Sequence, residues 1–187
     1  MRPYNIVLAG VGGQGILFAS RILFESAMAK GQKVMGAETH GMSQRGGSVV
    51  SHFKMGDNSS SMVIPGTADA LVALERTEGL RNLEFLRPGG VYLVNAPDLS
   101  HLPASVGAYL EKSRVKVLHL DADGLALAAG KPLTSNLYVM GYFSALPGVP
   151  FDSAEVRAIV AGLSKGPFAD DNLKAFDAGL AAAAGRP

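Results

Sequence analysis

The chain contains no cysteine. That excludes disulfides, thiolate nucleophiles, Cys-ligated zinc and iron–sulfur clusters held by its own residues. Tryptophan is absent too. An excess of one charge is also missing: 17 basic residues stand against 16 acidic ones, for a formal charge of +1. Such a balance offers no electrostatic footprint for nucleic acid or an anionic membrane, and neither is expected as a partner. Long apolar runs are lacking. The longest, Leu137 to Phe151, is interrupted by Gly141, Pro147, Gly148 and Pro150 and is too short to span a bilayer. The first residues show no export signal, so a cytoplasmic protein is expected. The four histidines follow no metal-ligand spacing, and no metal site is expected.

What is present is a chain of 187 residues, 48% hydrophobic and 18% charged, with 23 glycines. This is a globular composition, and the length suits one domain over residues 1–187. Residues 4–9 read as a short buried strand. A glycine-rich turn follows, then a helix over 16–29, with Ile16, Ala19, Ile22, Leu23 and Ala27 near one face and Gly31 at its end. Further strands are expected at 33–37, 48–55, 70–74, 91–94 and 115–120. A turn at Gly56-Asp57-Asn58 would return 61–64 as a hairpin partner of 48–55. Helices are expected over 78–86, 121–129, 137–146, 153–163 and 171–184, and residues 38–47 as an irregular loop. Strands alternating with helices point to an α/β class: a Rossmann-like domain with a mainly parallel sheet, flanking helices and one hairpin insertion.

Two loops carry the chemical signal. The first, Gly10-Val-Gly12-Gly13-Gln14-Gly15, fits G-x-G-x-x-G between a strand and a helix. Without Cβ atoms the backbone turns sharply, and its N–H groups and the helix N-terminus can face an anion. Glu38 lies roughly where such a motif wants an acidic residue for a ribose. A dinucleotide, a different phosphate-bearing ligand, and simple close packing of helix on strand all remain open. The second loop is Glu38-Thr-His40-Gly41-Met-Ser43-Gln44-Arg45-Gly46-Gly47-Ser48. A guanidinium beside exposed backbone donors suits a phosphate or carboxylate, because its planar fork binds oxyanions in pairs. In a parallel sheet both loops lie at the carboxyl edge and share one site or one contact surface. A solvated polar turn is the plain alternative.

These loops together resemble the gamma-type component of 2-oxoacid:ferredoxin oxidoreductases. The Glu-x-His-Gly-Met-x-Gln-Arg-Gly-Gly form is most like the indolepyruvate branch. Other pieces fall in the expected order: Ala68-Asp69-Ala70-Leu71 with Glu75, Arg87-Pro-Gly-Gly90, Val94-Asn95, Asn136 with Met140-Gly141, and Asn172-Leu-Lys-Ala-Phe176 with Gly179. Residues 59–66 depart from the pattern, with Met62 where proline is common. The resemblance implies a division of labour. A large partner subunit carries thiamine diphosphate and iron–sulfur clusters, ferredoxin takes electrons from the complex, and coenzyme A is co-substrate. This chain then binds no cofactor alone, completes the enzyme and is inactive in isolation. The residues expected to face a ligand or the partner are Gly10, Gly12, Gly13, Gln14, Gly15, His40, Ser43, Gln44, Arg45, Gly46, Gly47 and Asn95. His40 is read as a loop-fixing residue first and a proton carrier second. Glu38 is read as an ion-pair partner of Arg45, and Asn136 as a helix cap. His52, His101 and His119 are read as ordinary core or surface histidines. Two rivals remain: a stand-alone NAD- or FAD-binding oxidoreductase, and a purely structural assembly subunit.

Overall fold

The computed structural model describes residues 3–41 and 46–185. Six strands, β1 (Tyr4–Val11), β2 (Val34–His40), β3 (Ser48–Met55), β4 (Ala68–Ala73), β5 (Leu86–Asn95) and β6 (Lys116–Leu120), form one sheet. Their order is β2-β3-β1-β4-β5-β6. β1, β4, β5 and β6 run parallel, while β3 is antiparallel to both β1 and β2. The helices are α1 (Ile16–Ala29), α2 (Arg76–Arg81), α3 (Ala104–Lys112), α4 (Ala122–Ala128), α5 (Ser135–Ser144), α6 (Ser153–Leu163) and α7 (Ala169–Ala184).

The parallel strands read as continuous apolar runs because both sheet faces are covered. Ile6 and Leu8 of β1 join Phe53, Val72 and Leu93 under α1 and α4 to α7. Their neighbours Val7 and Ala9 join Leu71, Tyr92 and Val94 on the opposite face, where Leu110 of α3 packs. Every residue of α5 from Asn136 to Ser144 is buried, as befits a helix enclosed on all sides.

The mixed, mostly parallel sheet and its flanking helices match the expected class, but the hairpin lies elsewhere. Residues 61–64 form no strand. Both edges of β3 are already taken, by β1 and β2, so its backbone has no ladder left to offer a third partner. The 61–64 segment instead covers the face of β3: the Val63 N–H donates to His52 Nδ1 at 3.3 Å, and Lys54 Nζ donates to the Met62 carbonyl at 3.3 Å. The hairpin of this fold is β2–β3, and it draws Glu38, Thr39 and His40 into regular strand rather than loop.

Two other differences have local causes. The helix expected over 78–86 ends at Arg81, where the Asn82 side chain donates to the Glu78 carbonyl, and a 3₁₀ turn follows over Leu83–Phe85. Arg87-Pro-Gly-Gly90 is an irregular stretch inside β5, opposite a register shift between Ala68 and Ala70. The positive φ of Gly89, 70°, makes that bulge possible. α3 was not anticipated: it begins after Pro103 without a side-chain cap, and only Leu110 on it is buried.

Candidate functional site

The two glycine loops meet at one edge of the sheet. β1 and β2 point the same way because β3 returns between them, so both loops leave from carboxyl ends. They are joined by backbone hydrogen bonds: the Gly12 N–H donates to the Gly47 carbonyl at 2.8 Å, and the Gly46 N–H to the Gly12 carbonyl at 3.4 Å. The second loop is itself closed where the Gly41 N–H donates to the Ser48 carbonyl at 2.8 Å. Ser43, Gln44 and Arg45 lie outside the described residues, as does the expected Glu38–Arg45 pair.

Gly15 occupies the N-cap position of α1 at φ 74°, with no side-chain cap on the first turn. A Cβ there would collide with Asn136 Nδ2, which donates to the Gly15 carbonyl at 3.3 Å. Asn136 is thus not the cap of α5; it ties that helix to the first loop. Gly10 is closed in as well, since a Cβ there would lie 2.7 Å from Gln14 Oε1 and 2.8 Å from Ile16 Cδ1. Gly13 has φ 103° and open space around it.

Gln14 and Asn95 hold the loop's footing. Gln14 Oε1 accepts from the Val11 N–H at 2.9 Å, and its Nε2 donates to the Leu74 carbonyl at 3.0 Å. Asn95 donates to the same carbonyl at 3.2 Å, while its Oδ1 accepts from the N–H groups of Ala122 and Asp123 at the start of α4. Both amides are engaged within the chain, one across β1 and β4, the other across β4, β5 and α4. Asp121 also caps α4, accepting from the Gly124 N–H at 2.9 Å.

Against the loops, on the α1 face, lies a cavity of about 640 Å³. Gly12, Gly13, Gly15 and Gly41 supply backbone, and Ile16, Phe18 and Val49 supply apolar wall. Leu17 lines it while 48% exposed, and His40 stands at its rim on the end of β2. The arrangement combines uncapped N–H groups of a helix N-terminus with a largely apolar hollow. It suits a ligand or a protein segment with an anionic end and an apolar body.

The remaining histidines serve the fold. His52 is buried, accepts at Nδ1 from Val63, and meets the Phe85 ring edge-on at 5.1 Å. Burial and then the Lys54 ammonium hold its pKa below the ordinary histidine value. His101 and His119 pair through Nδ1 with the carbonyls of Asp98 and Ala96. Among the described residues no group of three His, Asp or Glu side chains is placed to hold a metal, and no helix is long and apolar enough to cross a membrane.

One cluster beside the site escaped the sequence reading. Glu78 of α2 is 3% exposed. Its Oε2 accepts from the Ser48 hydroxyl at 2.6 Å, and Oε1 pairs with Arg81 at 2.6 Å. Its N–H donates to the Glu75 carboxylate, which caps α2. The Glu-x-x-Glu-x-x-Arg spacing over 75–81 was the available signal, since it puts these side chains one turn apart.

Residues 5–182 match the family described as pyruvate ferredoxin/flavodoxin oxidoreductase. The chain belongs to that family. It is 38% identical to the indolepyruvate oxidoreductase subunit IorB of Pyrococcus horikoshii, over 98% of this chain and 97% of that one. It is 26% identical to the 2-oxoglutarate synthase subunit KorC of Methanothermobacter thermautotrophicus, over 94% and 92%. Among solved structures it resembles the gamma subunit of a keto/oxoacid ferredoxin oxidoreductase from Geobacter sulfurreducens, with a TM-score of 0.78 and 25% identity over 98% of this chain and 99% of that one.

Proposed function

We propose that this family member is the small, non-redox subunit of an indolepyruvate-type 2-oxoacid:ferredoxin oxidoreductase, and that its two loops face the active-site entrance of the large subunit. The observation that carries the reading is the near full-length identity to an indolepyruvate oxidoreductase subunit, 38% against 26% for a 2-oxoglutarate relative. The whole chain, 1–187, acts as one gamma-type domain of a cytoplasmic complex. The reaction is oxidative decarboxylation of an aryl 2-oxoacid: the bond from the acyl carbon to the carboxylate breaks, carbon dioxide leaves, ferredoxin is reduced and coenzyme A takes the acyl group. Thiamine diphosphate and iron–sulfur clusters belong to the large subunit and supply the carbanion and electron-transfer chemistry there. This chain, without cysteine, has no thiolate to hold a cluster.

Its own residues bind and orient. The backbone donors of Gly12, Gly13, Gly46 and Gly47, with Arg45 and Gln44, meet an anionic group such as the phosphates of coenzyme A. The apolar wall of Ile16, Phe18 and Val49 takes the uncharged body behind it. Gly10 and Gly15 let the loop turn, His40 borders it, Ser43 adds a hydroxyl to the same ligand-facing set, and Gln14 and Asn95 keep the loop on the sheet.

The test is gentle purification of the tagged chain from its host, with metal analysis and mass spectrometry of what accompanies it. A cysteine-rich subunit bearing iron and thiamine is expected, active on indolepyruvate-type acids only when both chains are present. A chain that purifies alone with bound NAD or FAD would overturn the assignment. In the assembled enzyme, Arg45→Ala should raise the KM for coenzyme A about tenfold, the loss of roughly one charge-assisted hydrogen bond. Unchanged kinetics, with loss of assembly as the sole effect of loop substitutions, would reduce the chain to a structural subunit.

A further inference from the structure

We propose that Ser48 and Glu78 are positioning residues that clamp the second glycine loop, making α2 part of the site. The inference rests on the reading of the two loops as ligand-facing. Ser48 is the first residue after Gly46-Gly47, and three separate bonds converge on it and its neighbour. Its carbonyl accepts from the Gly41 N–H at 2.8 Å and closes the loop upon itself. The Gly47 carbonyl, next in the chain, accepts from the Gly12 N–H at 2.8 Å and fastens the loop to its partner. The Ser48 hydroxyl donates to Glu78 Oε2 at 2.6 Å and fastens it to α2.

The other end of the clamp is held from several sides. Glu78 is almost wholly buried, its second oxygen is paired with Arg81, its N–H is bonded to the Glu75 carboxylate, and its carbonyl accepts from Asn82 Nδ2 at 2.8 Å. A buried carboxylate is costly unless its oxygens are satisfied, and here one of its two partners is the first residue of β3, directly after the loop. α2 cannot turn aside, because Gly79 lies against the Tyr92 ring and hydroxyl and the Ala73 Cβ, leaving no room for even a methyl group. Glycines such as Gly46 and Gly47 lose more backbone freedom on ordering than any other residue. Three anchors within two residues restrict the loop's returning arm, and a binding site gains from such restriction because less ordering is left to do on binding. Arg81, 67% exposed on its side chain, is the outer member of the same chain of contacts.

The test compares Ser48→Ala with Ser48→Thr, which keeps the hydroxyl, and with Arg45→Ala. Hydrogen exchange is measured on the full chain, and kcat and KM for coenzyme A and the oxoacid on the assembled enzyme. Ser48→Ala should speed exchange of the Gly41, Gly46 and Gly47 amides at least tenfold. It should raise the same KM that Arg45→Ala raises, by three- to tenfold, with kcat within twofold. Ser48→Thr should restore both. Unchanged exchange in Ser48→Ala overturns the clamp even if that variant fails to assemble. Faster exchange with a wild-type KM, while Arg45→Ala raises it, overturns the positioning role alone. If Arg45→Ala and Ser48→Ala both leave every KM unchanged, the ligand-facing reading of the loops falls, and the positioning role with it.

Discussion

His52 shows how one side chain can be read for both structure and acid stability. It sits on β3 with Ala37 of β2 on one side and Val7 of β1 on the other. Its Nδ1 accepts from the Val63 N–H, so the ring is neutral with its proton on Nε2. Protonation would put a second N–H against the Val63 donor, inside a buried cluster and near Lys54. Burial first and Lys54 second therefore depress its pKa. An unfolded chain returns the residue to about 6.5. Between the two values the unfolded chain binds a proton that the folded chain does not, so the stability contribution is complete above about pH 6.5 and is lost as the pH falls toward the folded value. NMR titration of the ring should place its midpoint below 6.5, and melting should weaken from pH 6.5 downward. A His52 midpoint at or above 6.5 would remove this account of the segment over β3.

At the scale of elements, α5 and α7 are held together by two glycines. They cross where Gly141 of α5 meets the Phe176 carbonyl and Gly179 of α7 meets the Tyr138 carbonyl, each so close that a Cβ would overlap the facing backbone. The obstacle is main chain, so no rotamer change relieves it, and the helices would have to part. Gly179→Ala should therefore cost at least about 2 kcal/mol, despite the better helix propensity of alanine, and chemical denaturation measures it. A neutral or stabilising Gly179→Ala would mean that the helices do not pack this closely. This contact was only half legible. The sequence marks both helices by their apolar spacing and quotes both glycines, but nothing in it says that 141 and 179 face partners 35 and 41 residues away. Buried strands, α1, α4 and α6 were legible from their apolar spacing, with Gly31 marking the end of α1; the Asp152 cap of α6 is visible only in the structure. The β2–β3 hairpin was not, because its turn carries the site's residues rather than a short Asn-Gly or Asp-Gly signal, while Gly56-Asp57-Asn58 imitates one. The juxtaposition of the two glycine loops was legible from β-α-β order, and the clamp behind them was not, since Ser48 and Glu78 are 30 residues apart.

At the scale of the whole molecule, the sheet order decides between the first loop's possible ligands. A dinucleotide site needs an acidic side chain at the end of the strand beside β1, where it reaches the ribose hydroxyls while the pyrophosphate rests on the helix N-terminus. Here β3 is inserted between β1 and β2. Glu38 is carried two strand spacings from β1 instead of one, about 10 Å rather than about 5 Å. The strand that takes the place of β2 beside β1, β3, begins rather than ends at this edge, and it offers Ser48, whose hydroxyl is committed to Glu78. The same insertion turns the end of β2 into the second glycine loop and bonds it to the first, so the space a ribose would need is bordered by Gly46 and Gly47. The fold keeps the glycine turn and the uncapped helix N-terminus of the motif, but not an acidic side chain on the strand next to β1 where a ribose is read. The isolated chain should accordingly show no saturable binding of NAD, NADP or FAD tighter than about 1 mM, which is roughly 4 kcal/mol of binding free energy. Equilibrium titration followed by nucleotide fluorescence and calorimetry measures this directly, and a micromolar dissociation constant for any of the three would show that the ribose is held without Glu38 and return the first loop to the dinucleotide-binding class.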